Sequence, residues 1–113
     1  MNAEEHAQKA YEQAMDLLTS GRCTEAILCF SQALEVKPDF ATVYFNRAFA
    51  YNLLNEQEKA IEDYTQAIAL DPENAWAYVY RAYAHGVLGR QEEVVIDCGK
   101  AIEALTAKSA TKS

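Results

Sequence analysis

Apolar positions recur along this chain at helical rather than strand spacing. In its middle stretch Tyr44, Ala48, Tyr51 and Leu53 fall on one side of a first helix, and Ala60, Ile61, Tyr64, Ala67 and Ile68 on one side of a second. The same classes then return at a fixed interval. Ala26 and Ala60, Ile27 and Ile61, Phe30 and Tyr64, Ala33 and Ala67, Leu34 and Ile68, and both prolines, Pro38 and Pro72, pair at a separation of 34 positions. A third copy follows as Val94, Val95, Cys98, Ala101 and Ile102. The period predicts three units at 7–40, 41–74 and 75–108, after a short polar lead and before a Lys/Ser/Thr tail, 109–113, that frays.

Each unit reads as a helical hairpin. Gly21, Asn55 and Gly89 sit between the two helices of successive units, and these residue types accept a left-handed backbone at a helix C-terminus. Lys37-Pro38-Asp39 and Asp71-Pro72-Glu73 end the second helices, because proline disfavours helical geometry in the residue before it. Small residues recur where axes must approach: Ala14, Ala48 and Ala82 on the first helices, Ala26 and Ala60 on the second, then Ala33, Ala67 and Ala101. Bulkier side chains there would cost roughly 1–3 kcal/mol in overpacking. Val94 breaks the series and predicts a looser last hairpin.

This pattern resembles the tetratricopeptide repeat, a helix–turn–helix unit of about 34 residues with small and aromatic residues at set places. The middle unit carries it best, in Tyr44, Ala48, Tyr51, Ala60, Tyr64, Ala67 and Pro72. The first departs at Ala10 and Leu17, the third at His85, Val94 and Cys98. The resemblance implies an all-α fold of three stacked hairpins in a right-handed superhelix. It also implies that the first helices line a concave groove binding peptides or proteins without catalysis.

By the same resemblance the groove displays Tyr11 and Met15 from the first unit, Phe45, Asn46, Phe49 and Asn52 from the second, and Trp76, Tyr80 and Tyr83 from the third. The rings are expected as apolar anchors, and Asn46 and Asn52 as hydrogen-bonding groups for a ligand backbone. Tyr44, Tyr51, Tyr64 and Tyr78 are expected in the core. The family's carboxylate clamp grips acidic chaperone tails with two Lys, two Asn and an Arg. Only Asn46 matches; Tyr11, Met15, Trp76 and Tyr80 stand where the other four would be. Each missing charge-assisted hydrogen bond is worth roughly 1.5–3 kcal/mol, so a chaperone-adaptor role ranks last. Arg47 and Arg81 read instead as surface or inter-repeat side chains with packed stems.

Composition narrows the function classes. At 113 residues the chain is sized for one domain, and its net charge of −7 disfavours nucleic acid. No apolar run reaches the roughly 20 residues of a membrane span, and the acidic start MNAEEH does not resemble a secretory signal, so the cytosol is the expected location. Cys23, Cys29 and Cys98 form no C-x-x-C pair and are expected as reduced, partly buried thiols. His6 and His85 lack ligands at metal spacing, and no phosphate loop or nucleophile elbow occurs, so no cofactor, metal or enzymatic activity is expected. Glu56, Glu58, Glu62 and Asp63 read as a solvated acidic face.

The last helix, roughly 91–107, supplies the alternative function. Repeat arrays generally need a polar covering helix, and after Ala107 only KSATKS follows. Val94, Val95, Cys98, Ile102 and Leu105 would then expose apolar surface, and a homodimer assembled through this end is the expectation that competes with groove binding; the alternative is that Val94 and its neighbours face inward and Glu92, Glu93, Asp97 and Lys100 form a sufficient polar face.

Overall fold

The six apolar stripes become six helices in the computed structural model, which describes residues 1–111. They are α1 Ala3–Thr19, α2 Cys23–Val36, α3 Ala41–Leu53, α4 Gln57–Leu70, α5 Ala75–Val87 and α6 Gln91–Thr111. Each packs on its neighbours in sequence, while α1 also touches α3 and α3 touches α5, so the first helices of the hairpins share one side of the stack. The result is an all-α solenoid measuring 41 × 37 × 21 Å.

The turns within the hairpins form as their residues require. Gly21, Asn55 and Gly89 take φ of 80°, 59° and 76°, the left-handed region. Around each, the same pair of bonds closes the helix end: Arg22 N–H to Leu17 O at 2.9 Å and Gly21 N–H to Leu18 O at 3.0 Å, repeated from Glu56 to Tyr51 and from Arg90 to His85. Between hairpins, the hydroxyls of Tyr44 and Tyr78 donate to the Pro38 and Pro72 carbonyls at 3.0 and 3.2 Å. Each tyrosine thereby ties its helix to the proline turn that launches it.

The core is built from the periodic alanines. Ala14, Ala26, Ala33, Ala48, Ala60 and Ala67 are buried, and Phe30 and Tyr64 fill the space between hairpins. Tyr78 is also buried, whereas Tyr44 and Tyr51 are only half-buried.

Five expectations change. Helix α1 starts at Ala3 rather than after a polar lead, because the Asn2 side chain caps it by accepting from Glu5 N–H at 2.9 Å. Helix α6 runs past 107 to Thr111, and residues 112–113 of the expected frayed tail lie outside the described residues. Val94 does not face outward. It sits half-buried opposite Gly86, where a Cβ would lie 3.6 Å from Val94 Cγ2, so the missing side chain on α5 takes up the extra bulk on α6. Cys98 is exposed instead of partly buried. Asp63 is buried, not part of a solvated acidic face, for a reason found at the hairpin junctions.

Candidate functional site

The junctions between hairpins are braced by repeated arginine contacts. Arg47 on α3 grips Asp63 on α4 through Nε and Nη2, at 2.6 and 2.8 Å, while its Nη1 donates to Ser31 Oγ on α2 at 3.0 Å. One guanidinium thus joins three helices. The arrangement repeats one period on: Arg81 bonds Asp97 at 2.8 and 2.7 Å and Thr65 Oγ1 at 3.1 Å. Both carboxylates are buried, and both arginines lie over a tyrosine ring, Arg47 on Tyr44 and Arg81 on Tyr78, each 5.8 Å from the centroid. The bonds to Asp63 raise the Arg47 guanidinium above its ordinary value, outweighing the partial burial that works against its charge. The inter-repeat reading of Arg47 and Arg81 fits these contacts, while their partners carry a signal in the sequence too: Ser31/Thr65, Arg47/Arg81 and Asp63/Asp97 all obey the 34-residue period.

With both arginines committed to the junctions, the inner surface is left apolar. A cleft of about 400 Å³ is lined by Met15, Leu18, Thr19, Phe45, Asn46, Phe49, Leu53 and Tyr80, from α1, α3 and α5. No cation lines it. Its aromatic wall is braced from behind: Tyr80 stacks on buried Tyr64 at 6.2 Å, and Phe45 and Phe49 meet Tyr80 edge-on at 5.8 and 5.6 Å. Tyr64 in turn donates its hydroxyl to Asn52 Oδ1. Burial, then the neighbouring Tyr80 and Asp63, push the Tyr64 phenol far above the usual tyrosine range.

The nine expected groove residues divide. Met15, Phe45, Asn46, Phe49 and Tyr80 meet in the cleft. Trp76 stands beside it, 64% exposed, with its ring 6.2 Å from Tyr80. Tyr11 is half-buried under the rim, packed on Phe30 and Phe40 at 6.2 and 5.3 Å, and only its hydroxyl reaches Asn46 Nδ2, at 3.4 Å. Burial raises its phenol, with the Asn46 bond acting in the opposite sense. Asn52, expected to serve a ligand, is bonded within the chain: its Oδ1 accepts from Tyr64 and its Nδ2 donates to Gln57 Oε1 at 2.5 Å, which helps to hold the α3–α4 turn. Tyr83 belongs to a second cleft, of about 480 Å³, with Val79, Val87, Val94 and Cys98 between α5 and α6. Val95, Ile102 and Leu105 lie exposed on the adjoining side of α6.

Among the described residues no cluster of three His, Cys, Asp or Glu side chains is placed to hold a metal, and no helix is long and apolar enough to cross a membrane. The cleft between α1, α3 and α5 offers shape and apolar surface.

Known proteins with this architecture agree. Tetratricopeptide repeat models match residues 41–74 and 63–96, and a further TPR repeat model matches 16–54. The chain is 45% identical over 51 residues to tetratricopeptide repeat protein 36 of Caenorhabditis briggsae, covering 45% of this chain and 28% of that protein. It is 43% identical over 60 residues to the Caenorhabditis elegans protein of the same name, covering 47% of this chain and 34% of the relative. The chain thus spans about a third of those relatives or less. Among solved structures, MamA superposes with a TM-score of 0.90 at 25% identity, over 92% of this chain and 61% of that one. The Arabidopsis OM64 TPR domain gives 0.88 at 28%, over 98% and 95%. The second TPR of Spaghetti (RPAP3), bound to the HSP90 peptide SRMEEVD, gives 0.84 at 27%, over 88% and 92%. Domains of this kind are protein-interaction modules, generally without catalytic activity. By its 34-residue period, its stacked hairpins and these matches, the chain belongs to the tetratricopeptide repeat family.

Proposed function

We propose that the cleft between α1, α3 and α5 takes an uncharged, apolar segment of a partner protein, in the cytosol and without chemical change to it. The observation that carries this reading is the lining itself: Met15, Leu18, Phe45, Phe49, Leu53 and Tyr80 around Asn46, with no Lys or Arg. Aromatic side chains in a braced wall offer large contact area with little ordering cost on the module's side. Trp76, exposed at the edge, extends the contact surface, and Asn46, whose Nδ2 donates to Thr42 O at 2.9 Å, offers its Oδ1 as the acceptor that fixes the ligand's register.

The related Spaghetti domains hold an acidic peptide, SRMEEVD. Here the charges such a peptide needs are absent from the cleft, and Arg47 and Arg81 are occupied by Asp63 and Asp97. A peptide-display selection against the chain should enrich sequences with two or more large apolar residues and no shared acidic terminus. Phe49→Ala should weaken the selected peptides by about 2 kcal/mol, roughly thirtyfold, as expected for a central anchor. Calorimetric titration with SRMEEVD should give no tight complex. Tight binding of that peptide, or selected peptides indifferent to Phe49→Ala, would overturn the proposal.

A further inference from the structure

The last hairpin leaves bare a face that its two predecessors bury. Phe30 on α2 and Tyr64 on α4 are fully buried, with Val43 and Tyr80 of the following hairpins packed on their clusters, and Leu34 is 8% exposed. Their counterparts one and two periods on, Cys98 and Ile102 on α6, are exposed, Ile102 to 65%. Exposed Val95 and Leu105 extend the row.

The occupant of this face is indicated by three features. First, the opposite end of the stack does not fit it. The side chains that α3 and α5 press on the preceding hairpin are buried Val43 and Ala50, then Ala77 and Ala84. In α1 the same positions hold exposed Lys9 and Asp16. Head-to-tail stacking would bury these charges on Cys98 and Ile102, so an open polymer of copies is disfavoured. Second, the row is self-complementary. Positions 95, 98, 102 and 105 are spaced three, four, three, the apolar seam of paired helices, and the spacing reads the same in both directions about residue 100. An antiparallel copy of α6 would set Val95 against the partner copy's position 105 and Cys98 against its position 102. Third, the area suffices. With Val79, Tyr83 and Val87 of the adjoining cleft, the row offers on the order of 500 Å² per copy, hence about 1,000 Å² in a pair, the threshold for specific association. Gly99, at the centre and beside the seam, has no heavy atom within 4 Å of where a Cβ would stand, leaving the second helix room to approach.

We infer that two copies of this chain associate tail to tail about a two-fold axis, their α6 helices antiparallel along Val95, Cys98, Ile102 and Leu105. The surface is separate from the peptide cleft, so the two readings fail independently.

Light scattering and sedimentation of the full chain test it. The mass should double with rising concentration, and more readily with added salt, which screens the −7 charge on each copy. Ile102→Glu, at an exposed position, should keep the helical circular dichroism and halve the mass, while Trp76→Ala leaves the dimer intact. Ile102→Cys should form an intermolecular disulfide with Cys98 under mild oxidation, and Cys98→Ser should abolish that cross-link. A monomer at every concentration, a dimer indifferent to Ile102→Glu or weakened by salt, or a dimer of Ile102→Cys that does not cross-link would overturn the inference.

Discussion

Tyr64 shows how a single side chain couples core and site. It is fully buried, its hydroxyl bonds Asn52, and its ring backs Tyr80 in the cleft wall. Its folded pKa lies above the ordinary 10.0, so the protonated phenol is the form the fold favours. A raised value contributes stability that is complete below the unfolded pKa and is lost as pH climbs above it. Stability should therefore hold up to about pH 10 and fall beyond it, with Tyr64 ionising only as the chain unfolds. An alkaline titration followed by both tyrosinate absorbance and circular dichroism checks this: one phenol should titrate together with the loss of helix. Gly89 tests a backbone effect in isolation. Its φ is 76°, and no atom would meet an added Cβ within 4 Å. Gly89→Ala should thus cost about 1 kcal/mol from backbone strain alone, measured by urea denaturation.

At the scale of elements, the hairpins are joined by two repeated arginine struts. Arg47 and Asp63 retain 20% and 7% side-chain exposure, so each is largely desolvated and depends on the other. Arg47→Ala should destabilise by roughly 3–5 kcal/mol because it strands the Asp63 carboxylate. The double substitution Arg47→Met with Asp63→Leu should recover much of that loss, since no unpaired charge remains. Chemical denaturation of the two variants decides the point; equal losses would mean that packing rather than charge pairing dominates. The first hairpin has no such strut, as Gln13 and Cys29 occupy the matching positions. It relies instead on Phe30, Leu34 and Val43.

Over the whole molecule, the stack presents two apolar surfaces with different lineage. The cleft forms where three first helices converge on one side, and the exposed row lies along α6 of the third hairpin. They share no lining residue except through the continuity of α5, which gives Tyr80 to one and Val79 and Tyr83 to the other. Phe49→Ala should accordingly impair peptide capture without altering mass, and Ile102→Glu should do the reverse. Measuring both properties on both variants and their combination should give additive effects, because Phe49 lies in the cleft between α1, α3 and α5 and Ile102 on the exposed row of α6.

The linear pattern was sufficient for the architecture. A period of 34, alanines at every crossing position but Val94, and Gly21, Asn55 and Gly89 at the turns each constrain local backbone or contact distance, and these act within a few turns of chain. The resemblance to the repeat family implied that Met15, Phe45, Asn46, Phe49 and Tyr80 share one surface, and all five line the cleft. Tertiary packing decided the rest. Tyr11 sank under the rim because Phe30 and Phe40 offered it apolar contact, and Asn52 turned to Tyr64 and Gln57 because a buried hydroxyl and amide must find partners. Asp63 left the acidic face for Arg47, and Val94 turned inward because Gly86 left space for it. Such choices depend on which side chains meet across helices, and a one-dimensional pattern specifies faces, not the pairings made between them.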